Sequence, residues 1–253
     1  MQLRRFLTER TKLRVGSSVK ILDEEAYHIR KSLRLQPDDE IILFNGEKEF
    51  KARLKIVSKD VVMADIVEVL GSNSNSSQTK FTLIQGLIRA SNFELILQKT
   101  TELGVDNIIP IFTEFSQINL PQIENKLARW QKIIVEACKQ SERITIPQIT
   151  GPIEFKNLKN TLTEFDLVLF FTLERESVTK IKTVKPISEF TEQIKQAKQV
   201  AYLIGPEGGF SPNEHKLAAE WGLELVTLGG NVLKAETAAI AIQASLNILS
   251  QRN

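Results

Sequence analysis

The sequence contains very little cysteine and histidine. Cys138 is the single cysteine, and His28 and His215 are the two histidines. One thiol cannot form an internal disulfide or a cysteine-based zinc site, so the sequence favours a reducing compartment. Two histidines also argue against a histidine-rich metal centre, and we expect no metal cofactor.

Long apolar runs are also absent. No run approaches the roughly 18 uninterrupted apolar residues that span a bilayer. The first residues, MQLRRFLTER, carry charges where a signal peptide has its apolar region. We therefore expect a cytoplasmic protein that does not bind a membrane. With 42% hydrophobic and 25% charged residues, the 253-residue chain has the composition of a globular protein, which excludes disordered, collagen and coiled-coil classes.

Net charge is only +2, but basic residues are concentrated near the N-terminus. Residues 1–35 hold nine basic and four acidic side chains, a local charge of +5, whereas residues 72–253 hold 19 of each. A basic patch at one end of an otherwise neutral protein indicates a surface for a polyanion such as RNA. An ordinary solvated face is the alternative explanation for this patch.

The polar run GSNSNSSQ at 71–78 cannot pack in a core and is typical of a flexible linker. We place a first domain at 1–71, a linker at 72–78 and a second domain at 79–253. Alternating apolar residues in the first domain predict a small antiparallel β-barrel with one helix over Asp23–Arg34. The predicted strands of this barrel are 19–22, 40–45, 49–57 and 61–69.

After the linker, strand-like runs alternate with helical ones, which predicts an α/β domain with a mostly parallel sheet. Capping boxes are expected at Ser91–Glu94 and Ser211–Glu214, and Gly104 has the position of a helix-terminating glycine. The last helix is apolar nearly all round, so it is expected in the core or in a subunit interface. The predicted strands are 81–88, 107–113, 166–171, 200–204 and 223–228, with helices from 92, over 122–140, around 187–198, from 212 and from about 236.

Three loops that follow predicted strands are candidates for a ligand site. They begin at Thr172, at Gly205 within GPEGG, and at Gly229 within GGNVLKAET. In an open parallel sheet, ligands bind outside the carboxyl ends of the strands, and glycines let the backbone approach a ligand closely. We expect a small-molecule pocket built largely of main chain. It matches neither the dinucleotide fingerprint nor the P-loop, and a simple tight turn is the alternative for GPEGG.

Two of these segments, LIGPEGGFSPNE (203–214) and LGGNVLKAETAAIAIQASL (228–246), resemble carboxyl-terminal signatures of the SPOUT methyltransferases. They are most similar to the RsmE group, which methylates N3 of a uridine in small-subunit ribosomal RNA. Residues 28–46, 97–116 and 126–149 resemble further blocks of the same group, in the same order. The resemblance therefore covers almost the whole chain.

The resemblance implies an N-terminal PUA-like β-barrel that engages RNA and a C-terminal α/β domain with a trefoil knot. It also implies S-adenosylmethionine in the loops of the knot, a homodimer, and either ribosomal RNA or the assembled 30S subunit as substrate. Asn231 and Lys234 stand where the group has two arginines, so a role taken from an arginine at position 231 is in doubt.

On this basis we assign three sets of site residues. The catalytic candidates are Glu207, Lys234 and Glu236, although Glu236 would equally suit the first turn of the last helix. The cofactor pocket is expected to comprise Phe171, Thr172, Leu203, Ile204, Gly205, Gly208, Leu228, Gly229 and Leu233. Of these, Leu203, Ile204 and Leu228 are equally explained as ordinary core residues. The expected RNA contacts are Arg4, Arg5, His28, Arg30, Arg34 and Arg143, and Arg143 would equally suit the methionine tail of the cofactor. His28 is equally explained as an ordinary helix residue, and His215 is expected to face solvent.

Two other functions stay open from the sequence. One is a different SPOUT activity on RNA, such as 2′-O-ribose methylation, because the pocket loops are shared. The other is an RNA-binding ribosome assembly factor whose catalytic pocket has decayed, which the changes at Asn231 and Lys234 would suit. The intact GPEGG and Glu236-Thr237-Ala238 elements argue against decay.

Overall fold

The computed structural model describes residues 3–9, 12–21, 23–72, 79–116, 126–173 and 180–251. The chain forms two compact units, one of residues 1–76 with 138–146 and the other of residues 77–137 with 147–253. Residues 138–146 thus pack with the first unit, although they lie within the sequence range of the second predicted domain. None of the helices in these described ranges is long and apolar enough to cross a membrane.

The first unit is built on a five-stranded sheet with the strand order β1-β3-β4-β5-β2. Its pairings are antiparallel except for the parallel pair β1–β3. The alternating apolar residues of the strands point to one side and form the core, in which Ile41, Leu43 and Phe50 are fully buried. The strands are β1 (Arg5–Leu7), β2 (Ser18–Ile21), β3 (Glu40–Phe44), β4 (Lys48–Val57) and β5 (Val62–Ser72).

The predicted helix of this unit is shorter than the sequence suggested. An α-helix, α1, covers Asp23–Tyr27 and continues as a π-helical turn over His28–Ser32. Arg34 has a left-handed φ of +54°, which an α-helix does not accommodate. Arg30 and Arg34 therefore do not lie one turn apart on a single helix face.

The second unit alternates strands and helices, as the sequence predicts. In the described ranges of this unit, two single turns of 3₁₀-helix, Phe155–Asn157 and Ile187–Phe190, lie between the strands and helices. The strands are β6 (Lys80–Gly86), β7 (Asn107–Phe112), β8 (Gln148–Ile149), β9 (Ile153–Glu154), β10 (Leu167–Phe171), β11 (Lys185–Pro186), β12 (Gln199–Ile204) and β13 (Glu224–Thr227). The helices of the described residues are α2 (Ala90–Glu102), α3 (Leu127–Gln140), α4 (Lys159–Leu162), α5 (Thr191–Gln196), α6 (Pro212–Glu220) and α7 (Ala235–Leu249). The last residues of α3, 138–140, are grouped with the first unit.

The sheet of the second unit has the order β11-β13-β10-β12-β6-β7-β8, with β9 also paired to β7. Every pairing among these strands is parallel, so the prediction of an α/β domain with a mostly parallel sheet is confirmed. β10 lies between β12 and β13. Because the three strands are parallel neighbours, the loops at their carboxyl ends emerge side by side at one edge of the sheet.

The helix ends test the capping predictions. At α6 the Ser211 hydroxyl accepts the Glu214 N–H at 3.2 Å, and the Glu214 carboxylate accepts the Ser211 N–H at 2.7 Å, so this capping box is confirmed. The box expected at Ser91 is wrong, because α2 begins at Ala90 without a side-chain cap. Glu94 instead forms a bidentate ion pair with Arg129 at 2.6 and 2.7 Å.

Candidate functional site

A cavity of about 520 Å³ opens at the carboxyl ends of β10, β12 and β13. Its walls come mainly from the loops that follow these strands and from the N-terminal parts of α6 and α7. Cavities of about 300–1,000 Å³ are typical of sites for small molecules. The structure therefore confirms the predicted pocket formed by these three loops.

Most of the residues predicted for the cofactor line this cavity. Leu203 does not, because it is fully buried in the hydrophobic core under the sheet edge. It packs among the other buried residues of that core and is not part of the cavity lining. The predicted residues that do line it are Phe171, Thr172, Ile204, Gly205, Gly208, Leu228, Gly229 and Leu233.

The GPEGG loop is a tight main-chain wall. A Cβ atom on Gly205 would lie 2.9 Å from the carbonyl carbon of Gly209 and 3.1 Å from its Cα, so only glycine permits the two backbones to approach this closely. Gly209 has a φ of +73°, in the left-handed region, and its N–H donates to the Pro206 carbonyl at 2.8 Å. These contacts fold the loop back on itself and present its backbone to the cavity.

A histidine forms part of the wall next to the β10 loop. His215, on α6, is only 5% exposed, which contradicts the expectation that it faces solvent. Its Nε2 lies 2.9 Å from the Thr172 hydroxyl and its Nδ1 lies 2.9 Å from the Ser211 carbonyl oxygen. Burial lowers the pKa of His215 below its ordinary value, which favours the neutral ring.

The three catalytic candidates have different positions. Glu207 and Lys234 are exposed and line the cavity. Glu236 does not line it and lies in the first turn of α7, where its Oε2 is buried without a hydrogen-bond partner in the described part of the chain. Asn231 also lines the cavity, so the position at which the group has an arginine is part of the pocket.

The profile of an RNA methyltransferase domain matches residues 75–247, which is more than half of the chain. The profile of an RNA methyltransferase PUA domain matches residues 21–62. The chain belongs to the RNA methyltransferase family. Both units thus contain a matched segment, and the cavity lies in the methyltransferase unit.

Individual members of the RNA methyltransferase family cover nearly all of the chain. The ribosomal RNA small subunit methyltransferase E of Synechocystis is 30% identical over 236 residues, which are 93% of this chain and 74% of that protein. The crystal structure of the enzyme of the same name from Neisseria gonorrhoeae, bound to S-adenosylmethionine, has a TM-score of 0.82 at 30% identity and covers 98% of both chains. A Legionella pneumophila structure that also holds S-adenosylmethionine has a TM-score of 0.87 at 29% identity, again over 98% of both chains.

The RNA contacts expected for this methyltransferase have mixed positions in the first unit. Arg4 and Arg34 are exposed, whereas the Arg5 side chain is 6% exposed, pairs with Glu49 and donates to the Arg143 carbonyl at 3.0 Å.

Arg30 donates to the backbone carbonyls of Ala26, Ser58 and Lys59, and His28 packs edge-on against Phe6. Arg143 donates to the Thr145 hydroxyl at 3.2 Å. Arg5 and Arg30 thus have structural contacts that a charge count does not reveal.

Sequence reasoning missed several residues that line the cavity. Phe115 follows β7 and lies at the same edge of the sheet as the other lining loops. Because ligands bind outside the carboxyl ends of parallel strands, this position could have been predicted from the sequence. His215 lies one turn after the capping residue Ser211, and a helix that starts at the pocket directs this position towards it. Ile181 comes from a segment with no motif, and no sequence signal placed it in the pocket.

Proposed function

We propose that this protein methylates N3 of a specific uridine in small-subunit ribosomal RNA, with S-adenosylmethionine as the methyl donor. The observation that carries the proposal is the main-chain cavity formed by the loops after three neighbouring parallel strands. Support also comes from relatives named ribosomal RNA small subunit methyltransferase E and from similar structures that hold the cofactor.

The residues of the cavity fit S-adenosylmethionine. Apolar side chains such as Leu228 and Leu233 suit an adenine ring, and the exposed backbone of the Gly205–Gly209 loop suits the polar methionine tail. The Thr172 hydroxyl, held by His215, is available to accept a hydrogen bond from the ligand. When bound, this cofactor supplies an electrophilic methyl group, and the chemistry requires no metal.

The remaining task of the protein is to orient the uracil and to manage the proton on its N3. That N–H is weakly acidic, so methylation is favoured by a base that accepts the proton or by a positive charge that stabilises the anion. Glu207 is the candidate base and Lys234 the candidate cation, because both line the cavity. Glu236 lies outside the lining, and we propose that it supports the start of α7.

We further propose that the first unit holds the RNA backbone through its exposed arginines, Arg4 and Arg34. A homodimer and a trefoil knot remain predictions from the sequence resemblance, and a cytoplasmic location remains a prediction from the charged first residues and the short apolar runs. In this proposal Arg5 and Arg30 shape the RNA-binding unit, since their side chains are occupied within it.

The decisive experiment is mass-spectrometric analysis of nucleosides from small-subunit ribosomal RNA of cells with and without the gene. Loss of 3-methyluridine on deletion, restored by the wild-type gene, is the expected result. Loss of a different methylated nucleoside would support another RNA methyltransferase activity, such as ribose methylation. No change in any nucleoside would contradict the proposed enzymatic activity and favour the alternative of an RNA-binding ribosome assembly factor.

A further inference from the structure

Phe115 is an exposed aromatic residue at the wall of the cavity. It follows β7, lines the cavity and is 43% exposed. Among the large hydrophobic residues that are exposed in the described part of the chain, only Phe115, Val232 and Leu233 line the cavity. Phenylalanine side chains are normally buried, so an exposed ring at a ligand cavity suggests that a ligand covers it.

The backbone that carries this ring is firmly held. The Thr113 N–H donates to the Ser116 hydroxyl at 3.0 Å, and the Ser116 N–H donates to the Thr113 carbonyl at 3.1 Å, so residues 113–116 form a closed turn. Between them, the Glu114 N–H donates to the Glu214 carboxylate at 2.9 Å. The other oxygen of Glu214 accepts the Ser211 N–H, and Glu214 is 6% exposed, so one buried carboxylate joins the β7 turn to the start of α6.

The ring also packs on the backbone of the GPEGG loop. A Cβ atom on Gly208 would lie 3.0 Å from Cβ of Phe115 and 3.3 Å from its Cγ and Cδ2. Phe115 therefore lies against Gly208, the residue that follows the candidate base Glu207, in a preorganised position. Such positioning reduces the entropy that is lost when a ligand binds.

We propose that Phe115 stacks on the target nucleobase and holds it beside the cofactor. This inference rests on the proposed function, because N3 lies on the pairing edge of uracil and an enzyme that methylates it acts on an unpaired or flipped-out base, whose face is free to stack. Every base has a π-face, and stacking on an aromatic side chain contributes about 1–3 kcal/mol per base. The turn at 113–116 supplies the ring, the Gly208 backbone supports it, and Glu207 is adjacent to the reacting edge of the base.

The test compares Phe115→Ala, Phe115→Leu and Phe115→Trp with the wild type, on small subunits isolated from cells that lack the gene. The Ala and Leu variants are expected to lower kcat/KM for methyl transfer by about fivefold or more, since both lose the ring, while Trp retains most of the activity. S-adenosylmethionine affinity, measured by calorimetry, is expected to stay within about twofold of wild type in all three. Leu95→Ala, another exposed hydrophobic residue but on α2 outside the cavity, is the control and is expected to leave both values unchanged.

Unchanged kcat/KM in Phe115→Ala would overturn the inference, and so would an equal loss of cofactor affinity, which would mean that the ring contacts the cofactor. The leucine variant keeps an apolar side chain, so its loss of activity would not be explained by an unfolded turn. If the wild-type product is a nucleoside other than 3-methyluridine, the proposed function fails. The ratio of wild-type to Phe115→Ala activity on that nucleoside still decides whether the ring acts on the base.

Discussion

The Thr172 hydroxyl lies 2.9 Å from Nε2 of His215, at the point where the loop after β10 meets α6. Nδ1 of the same ring lies 2.9 Å from the Ser211 carbonyl oxygen. Because a carbonyl only accepts hydrogen bonds, Nδ1 carries the ring proton and Nε2 accepts the hydrogen of Thr172. The free lone pairs of the threonine oxygen are thereby left for a donor in the cavity.

This pair predicts a specific pH dependence of stability. Burial lowers the pKa of His215 in the folded state, so the unfolded chain takes up this proton more readily. The contribution of His215 is therefore present above its unfolded pKa of about 6.5 and is lost as the pH falls through and below that value. Between about pH 7.5 and pH 5.5, wild type is expected to lose more free energy of unfolding than His215→Gln, as measured by urea denaturation.

Carboxylates elsewhere in the chain titrate in both proteins, so the difference between the two proteins isolates His215. Equal losses of stability in wild type and His215→Gln would show that the histidine is not held neutral. S-adenosylmethionine affinity measured at the same two pH values reports whether protonation of the His215 ring changes the ability of the Thr172 oxygen to accept a hydrogen bond.

The close approach of Gly205 and Gly209 predicts a large effect of a single methyl group. In Gly205→Ala the new Cβ would clash with the Gly209 backbone, so the GPEGG loop must move and its cavity wall is lost. We expect cofactor affinity to fall by about tenfold or more, measured by calorimetry. Gly230→Ala is the matched control, because nothing lies within 4 Å of a Cβ at that position, and its affinity should equal that of wild type. A wild-type affinity in Gly205→Ala would contradict this account of the loop.

The catalytic candidates predict losses of turnover without losses of folding. Glu207→Ala and Lys234→Ala are each expected to lower kcat by about tenfold or more, because Glu207 is the proposed base and Lys234 the proposed cation. Both side chains are exposed at the cavity, so the circular dichroism spectrum and melting temperature should not change. Glu220→Ala and Lys216→Ala remove the same charges from exposed positions of α6 outside the cavity. Wild-type turnover in Glu207→Ala or Lys234→Ala would remove that residue from the mechanism.

The sequence predicts the pocket better than the side chains that surround it. Apolar runs and glycines mark the ends of β10, β12 and β13, and parallel strands must bring those ends together, so the three loops were predictable. Leu203 lies in the core, one of the two places open to it from the sequence, because strand periodicity alone does not tell which side chain at a strand end faces the core. The contacts of Arg5 with Glu49 and of His215 with Thr172 could not be predicted, because they join residues 44 and 43 positions apart along the chain.

A buried hydrogen bond between β12 and α7 predicts a measurable stability contribution. The Tyr202 hydroxyl donates to Oε1 of Gln243 at 2.7 Å, and both residues are fully buried. Tyr202→Phe leaves that amide oxygen without its donor, which is expected to cost about 1–3 kcal/mol in the free energy of unfolding by urea. Tyr27→Phe changes the only other tyrosine, which is 59% exposed, and should stay within about 0.5 kcal/mol of wild type. Equal stability of Tyr202→Phe and wild type would show that the bond contributes nothing net.

The exposed arginines of the first unit predict the salt dependence of RNA binding. Each phosphate contact releases counterions from the RNA, so the slope of log affinity against log salt counts these contacts. Arg4→Glu and Arg34→Glu are each expected to weaken binding to small-subunit ribosomal RNA and to reduce that slope by about 1 or more. Lys159→Glu makes the same charge change at an exposed position in the second unit and should leave the slope unaltered. Arg30→Glu should lower the melting temperature instead, because Arg30 donates to backbone carbonyls within the unit. Slopes that are equal in Arg4→Glu, Arg34→Glu and wild type would place the phosphate contacts elsewhere on the protein.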